Sequence, residues 1–208
     1  MASAVIHIAV ANEVNKVLKK DKSKFLIGSV APDISRLIDE DRNISHFLRP
    51  GEKVPRIDEF LAKYKNHLND DFVLGYYVHL YTDYLWFKYF LTEIMNENKI
   101  TKLDGTVVNL NGNMDRLYIY NDYTNLNIQL IDEYNLDLKI LYNEIPEINN
   151  IIDEIPIDRI KILTDNIGRI IEKTKENKTF LFDISNIIKF INTSTELILA
   201  NLNELNII

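Results

Sequence analysis

Apolar residues recur at steps of three and four along almost all of this 208-residue chain, the spacing that turns one stripe of a helix toward a core. Val10, Val14, Val17 and Leu18 follow that rhythm after Ser3, a residue suited to cap a first helix. Ile57, Phe60, Leu61, Tyr64 and Leu68 repeat it, and a long aromatic helix is expected from Asp70 or Asp71 through DFVLGYYVHLYTDYLWFKYFLTEIMNEN. Everything after the loop near Asp104 reads as Ile/Leu/Asn-rich helix, with new helices after Pro156 and after Asp183. Two stretches interrupt the pattern. FLIGSVAPDISR, with Gly28 and Pro32, is expected to form a short helix and a turn that holds Asp33 at a defined place. DRNISHFLRPGEKVP, with Pro50, Gly51 and Pro55, reads as irregular loop. Asp104-Gly105 between short β-prone runs gives a small β-hairpin or a surface loop near 101–112. With no internal repeat and no linker composition, the expectation is a single domain over 1–208, an all-α multi-helix bundle.

Composition narrows the chemistry such a bundle can carry. The chain has no cysteine, which excludes disulfides, thiolate metal sites and a thiol nucleophile. A net charge of −7 and a pI near 5.2 argue against stable nucleic-acid binding through the phosphate backbone. No apolar run approaches the ~20 residues of a membrane span. The opening MASAVIHIAVANEV lacks a basic region and is broken by His7, Asn12 and Glu13, so a cytoplasmic location is expected. Catalytic or binding chemistry then falls to carboxylates, hydroxyls and four histidines.

His79 and Asp83 stand four apart in GYYVHLYTDYLWF, one helical turn above each other. Their stripe continues through Gly75 and Phe87, so a polar pair occupies the middle of a core-facing surface. A carboxylate buried there needs a partner, either a metal ion or a plain His–Asp hydrogen bond. His7 shares the inward stripe of the first helix with Ala11, Val14 and Leu18. Asp33 follows Pro32, and His46 lies in the loop. His67 sits outside the pattern and reads as a surface residue. Most of the aromatic run Tyr76, Tyr77, Tyr81, Tyr84 and Trp86 reads as core. Asn121 and Asp122 are further candidate oxygen ligands. Phosphate-loop, dinucleotide-binding, serine-hydrolase and H-E-x-x-H motifs are all absent, as is an adjacent His-Asp dipeptide.

The order of an inward His7, Ala31-Pro32-Asp33, His46 and then Gly75-Tyr76-x-x-His79-x-x-x-Asp83 resembles the zinc-dependent phospholipase C family, whose helical scaffold recurs in S1/P1-type nucleases. The resemblance covers about the first 90 residues. It implies zinc, as one or two ions: Asp33, His46, His79 and Asp83 around one, and His7 with Asp83 at a second, Asp83 bridging. It also implies water activated for attack on a phosphodiester. The chain departs from the family in starting Met1-Ala2 where members with three zinc ions have a ligating Trp. It also has no histidine after His79, so the downstream H-x-x-x-E box is missing.

These readings converge on a zinc-dependent hydrolase of phosphoester or phosphodiester bonds, phospholipase C-like, taking a small-molecule or phospholipid-headgroup substrate. Asp33 is the expected catalytic base, because a carboxylate beside an activated water can orient it and take its proton. Three imidazoles favour zinc over magnesium. The alternative is a non-catalytic metal-binding helical protein that retains part of such a site. A third reading is an ordinary helical protein with buried His–Asp hydrogen bonds.

Overall fold

Ser3 heads the first helix, α1 (Ala4–Leu18), and its Oγ accepts the Ile6 N–H at 3.2 Å. The helix ends at Lys19, which takes a left-handed φ of 58° and donates its N–H to the Asn15 carbonyl. In the computed structural model, which describes residues 2–96, 99–109, 114–172 and 181–208, α1 is buried on nearly every side. Its small and branched side chains allow that, and neighbouring helices described below cover it.

After a turn, Asp21 caps α2 (Lys22–Gly28), and Asp70 caps α5 (Asp71–Leu85) by accepting the Phe72 and Val73 N–H groups. These two helices meet backbone to backbone. A Cβ added at Gly28 would stand 2.2 Å from the Phe72 carbonyl oxygen, and one at Gly75 would stand 2.1 Å from the Phe25 carbonyl oxygen. Only glycine permits so close an approach, and it decides how near the chain after α2 lies to the middle of α5. That chain turns at Ser29 and forms a 3₁₀ helix, Ala31–Leu37, with Pro32 in its first turn.

The segment expected to be irregular is more ordered than its prolines suggest. Asp41 caps a one-turn helix, α3 (Arg42–Ser45), through the Asn43 N–H, and His46 closes it. The chain then turns at Gly51, φ +85°, and enters α4 (Ile57–Tyr64). A 3₁₀ turn, Lys65–His67, follows, with His67 exposed.

The aromatic helix is shorter than its sequence suggests. Regular α geometry stops at Leu85, and Trp86–Phe90 forms a π-helical turn. The wider turn carries Trp86 into a cluster with Phe90, Tyr123, Phe182 and Phe190 at ring separations of 4.5–6.2 Å. Aromatic packing thus outweighs local helix continuity. Beyond it, β1 (Met95–Asn96), β2 (Lys99–Thr101) and β3 (Val107–Asn109) form a small antiparallel sheet, Ile100 opposite Val108. Asp104-Gly105 makes the turn, with Gly105 at φ +81°. The expected hairpin is present; its 110–112 end lies outside the described residues.

The second half supplies α6 (Met114–Glu133), α7 (Lys139–Tyr142), α8 (Ile160–Glu172) and α9 (Ile184–Glu204), the last capped by Asp183. Helices α2, α5, α6 and α9 all pack on α1. Residues 143–156 are not helical, against the expectation of continuous helix. Ile152 and Ile155 are buried there, and the Tyr64 hydroxyl donates to Glu154 Oε2 at 2.6 Å while accepting the Asp153 N–H at 3.0 Å. Tertiary hydrogen bonds replace the ladder a helix would have offered. The fold is all-α with one small sheet. Among the described residues, no helix is long and apolar enough to cross a membrane.

Candidate metal centre

Helix α5 organises the site. Gly75 admits α2, and Tyr76, fully buried, donates its hydroxyl to the Ser45 carbonyl and so fixes the residue before His46. One turn on, His79 and Asp83 face the space between α1, the 3₁₀ helix and the end of α3. His7 comes from α1, its ring stacked on that of His79 with centroids 3.8 Å apart. The structure brings His7, Asp33, His46, His79 and Asp83 into one cluster, and leaves His67 out of it. Asp122, weighed as a further oxygen ligand, directs Oδ2 instead to the backbone N–H groups of Leu181 and Phe182, at 2.7 and 2.9 Å.

Spacing within the cluster is informative. His46 Nε2 lies 3.3 Å from His79 Nε2 and 3.4 Å from Asp33 Oδ1. Asp83 Oδ2 is 4.0 Å from each of those two ring nitrogens, and Asp83 Oδ1 is 3.4 Å from His7 Nε2. Ligand atoms about 2.0–2.1 Å from a tetrahedral zinc ion stand about 3.3 Å from one another. Two three-residue sets keep their ligand atoms within 4.8 Å of one another: His7, His79 and Asp83, and Asp33, His46 and His79. Either could hold a metal ion.

Donor bookkeeping points the same way. His79 Nδ1 is 2.9 Å from the Ser29 carbonyl, which can only accept, so Nδ1 carries the proton. In the neutral ring Nε2 is then a bare lone pair, the form that ligates a metal. Because Nδ1 is taken, His79 can serve one ion and not two. The plain His79–Asp83 hydrogen bond does not form, at 4.0 Å. Asp83 accepts from the Ala2 N–H at 3.0 Å and faces Arg42 Nη2 at 3.4 Å. Both ring nitrogens of His7 and Oδ1 of Asp33 are buried with no hydrogen-bond partner. The Asp33 oxygen and the lone pair of the His7 ring are acceptors without donors, which a cation would satisfy.

Burial, helped by the charge of Arg42, lowers the His46 pKa, and burial with the neighbouring His7 lowers that of His79. Both rings are therefore neutral near pH 7. Burial works to raise the two carboxyls, but at Asp33 the contact with His46 and the other imidazoles outweighs it. At Asp83 His7 and His79 do the same, and both carboxyls stay well below the usual range. The side chains of His7, His46, His79 and Asp83 are fully buried, while Asp33 is 13% and Arg42 26% exposed. Asp33 and Arg42 are thus the partly exposed groups beside an otherwise buried cluster.

Sequence reasoning missed Arg42, the Ser29 carbonyl and Ser45, whose Oγ is 2.9 Å from His46 Nδ1. Arg42 lies four residues before His46, a spacing that carried no meaning while the segment read as loop. No protein-family model, curated protein or solved structure matches this chain.

Proposed function

We propose that this protein is a zinc-dependent hydrolase of phosphoester bonds. The observation that carries the reading is the set of imidazole and carboxylate atoms at 3.3–4.0 Å separations, several of them buried without a hydrogen-bond partner, with Asp33 partly exposed. The ordered resemblance to the zinc-dependent phospholipase C family supports the reaction class. Asp33, His46, His79 and Asp83 would hold one ion, and His7 with Asp83 Oδ1 would serve a second. Zinc in such a site supplies Lewis acidity and lowers the pKa of water toward ~7. The protein's own part is to orient and exclude. Ser29 fixes the His79 tautomer, Tyr76 holds the His46 segment, and the stacked His7 and His79 rings shut water out from behind. Asp33, partly exposed where the other four ligands are fully buried, is the group an entering water would meet. Its depressed pKa makes it a weak proton acceptor, so orientation of that water is its stronger contribution.

Asp33→Asn separates the roles, because it keeps the shape and removes the charge. With turnover of an activated aryl phosphodiester as readout, a base or orienting role predicts a fall in kcat of ~10²–10⁴ with metal content unchanged. A ligand role predicts joint loss of metal and activity. A fully zinc-loaded wild-type protein without turnover on phosphodiesters, phosphomonoesters or phospholipid headgroups contradicts the hydrolase reading. That outcome leaves the second one, metal binding without catalysis, which is favoured by the absence of any histidine after His79.

A further inference from the structure

Two arginines stand one turn from two of the candidate ligands. Asp33 and Arg36 are three apart on the 3₁₀ helix Ala31–Leu37, where residues at that spacing eclipse one another on one face. Arg42 begins α3 and His46 closes it, one α-helical turn later. Both arginines therefore project from the elements that carry the exposed edge of the cluster. Arg36 is exposed and is anchored to α6: its Nη2 donates to the Tyr120 hydroxyl at 3.1 Å, and its guanidinium lies 6.0 Å over the Tyr120 ring. Arg42 is partly exposed, with Nη2 3.4 Å from Asp83 Oδ2. Its charge and that of Arg36 are near enough to oppose each other. In an acidic chain, net −7, two guanidinium groups beside the carboxylates of Asp33 and Asp83 bring the local charge to about neutral.

We propose that Arg36 and Arg42 form an anion-binding rim that receives the phosphoryl group of the substrate, and that Arg42 exchanges partners to do so. Without metal its guanidinium neutralises Asp83. A cation held by the cluster would take over that neutralisation and let the Arg42 guanidinium turn toward the partly exposed Asp33. Guanidinium forks match the paired oxygens of a phosphoryl group, which a lysine ammonium matches less well. The rim thus selects anionic phosphoesters over neutral esters. This inference rests on the metal-site reading.

The test uses inorganic phosphate as probe, with the zinc-loaded full-length protein and no free zinc in solution. Calorimetric titration should give a phosphate affinity that falls at least about tenfold in Arg42→Gln and in Arg36→Gln, the loss of a charged hydrogen bond. Zinc affinity should rise in Arg42→Gln, since a competitor for Asp83 is gone, and stay unchanged in Arg36→Gln. Arg36 is exposed, so its variant serves even if Arg42→Gln folds poorly. Phosphate affinity equal in wild type and variants, or no phosphate binding by zinc-loaded wild type, overturns the rim. Wild type that takes up no zinc overturns the metal reading itself, and the rim with it.

Discussion

His79 joins three parts of the cluster: Nδ1 is held by the Ser29 carbonyl, Nε2 faces His46, and the ring lies on His7. Removing it should cost more zinc affinity than the ~10–100-fold typical of losing a group that merely orients a ligand. His79→Ala and Asp83→Ala are therefore expected to lose zinc together, read by equilibrium competition with a chromophoric chelator, while His67→Ala retains it. Parallel retention in the first two contradicts the assignment. The metal-free protein should also be acid-sensitive. Burial lowers the folded-state pKa of His46 and of His79 below the ordinary 6.5, so the stability each contributes is complete above about pH 6.5. It is lost as pH falls, because the unfolded chain takes the protons first. The depressed carboxyls of Asp33 and Asp83 add to the loss below their ordinary 3.8. A Tm in chelator that declines from pH 7 to pH 5 fits this account; a flat profile contradicts it.

At the scale of elements, the glycine contact between α2 and α5 sets the site's dimensions. Gly75→Ala would drive a methyl into the Phe25 carbonyl and push α2 away, carrying the Ser29 carbonyl off His79. A loss of about 3 kcal/mol, the top of the usual overpacking range, is expected in urea unfolding, together with weaker zinc binding. Wild-type behaviour in both would show that the contact is not needed. The sequence displayed the elements that rest on periodicity and caps: α1, α4, α5, α8 and α9 all begin near the residues that announce them. It also placed His7, His79 and Asp83 on inward stripes, because a helical face is legible from spacing. It did not display α3, whose single turn is too short for a period, and so Arg42 went unseen. The π turn at Trp86 and the non-helical run 143–156 were equally hidden, since aromatic packing and the Tyr64 hydrogen bonds that favour them join residues far apart in the chain. The Gly28–Gly75 contact has the same origin: each glycine is visible, but not that they face each other.

For the whole molecule, the cluster ties α1, the 3₁₀ helix, α3 and α5 through their side chains, so a bound ion acts as a clasp among segments up to 76 positions apart, from His7 to Asp83. A ligand that binds only the folded state adds RT ln(1 + [L]/Kd), about 2.7 kcal/mol at a hundredfold excess. Chelation should accordingly lower the Tm, and zinc should restore it. The most direct measurement is the zinc content of protein purified without a metal-affinity tag, by elemental analysis before and after loading and dialysis. The account predicts one or two equivalents in the wild type and a loss in His79→Ala. A wild-type protein that remains metal-free after loading contradicts it.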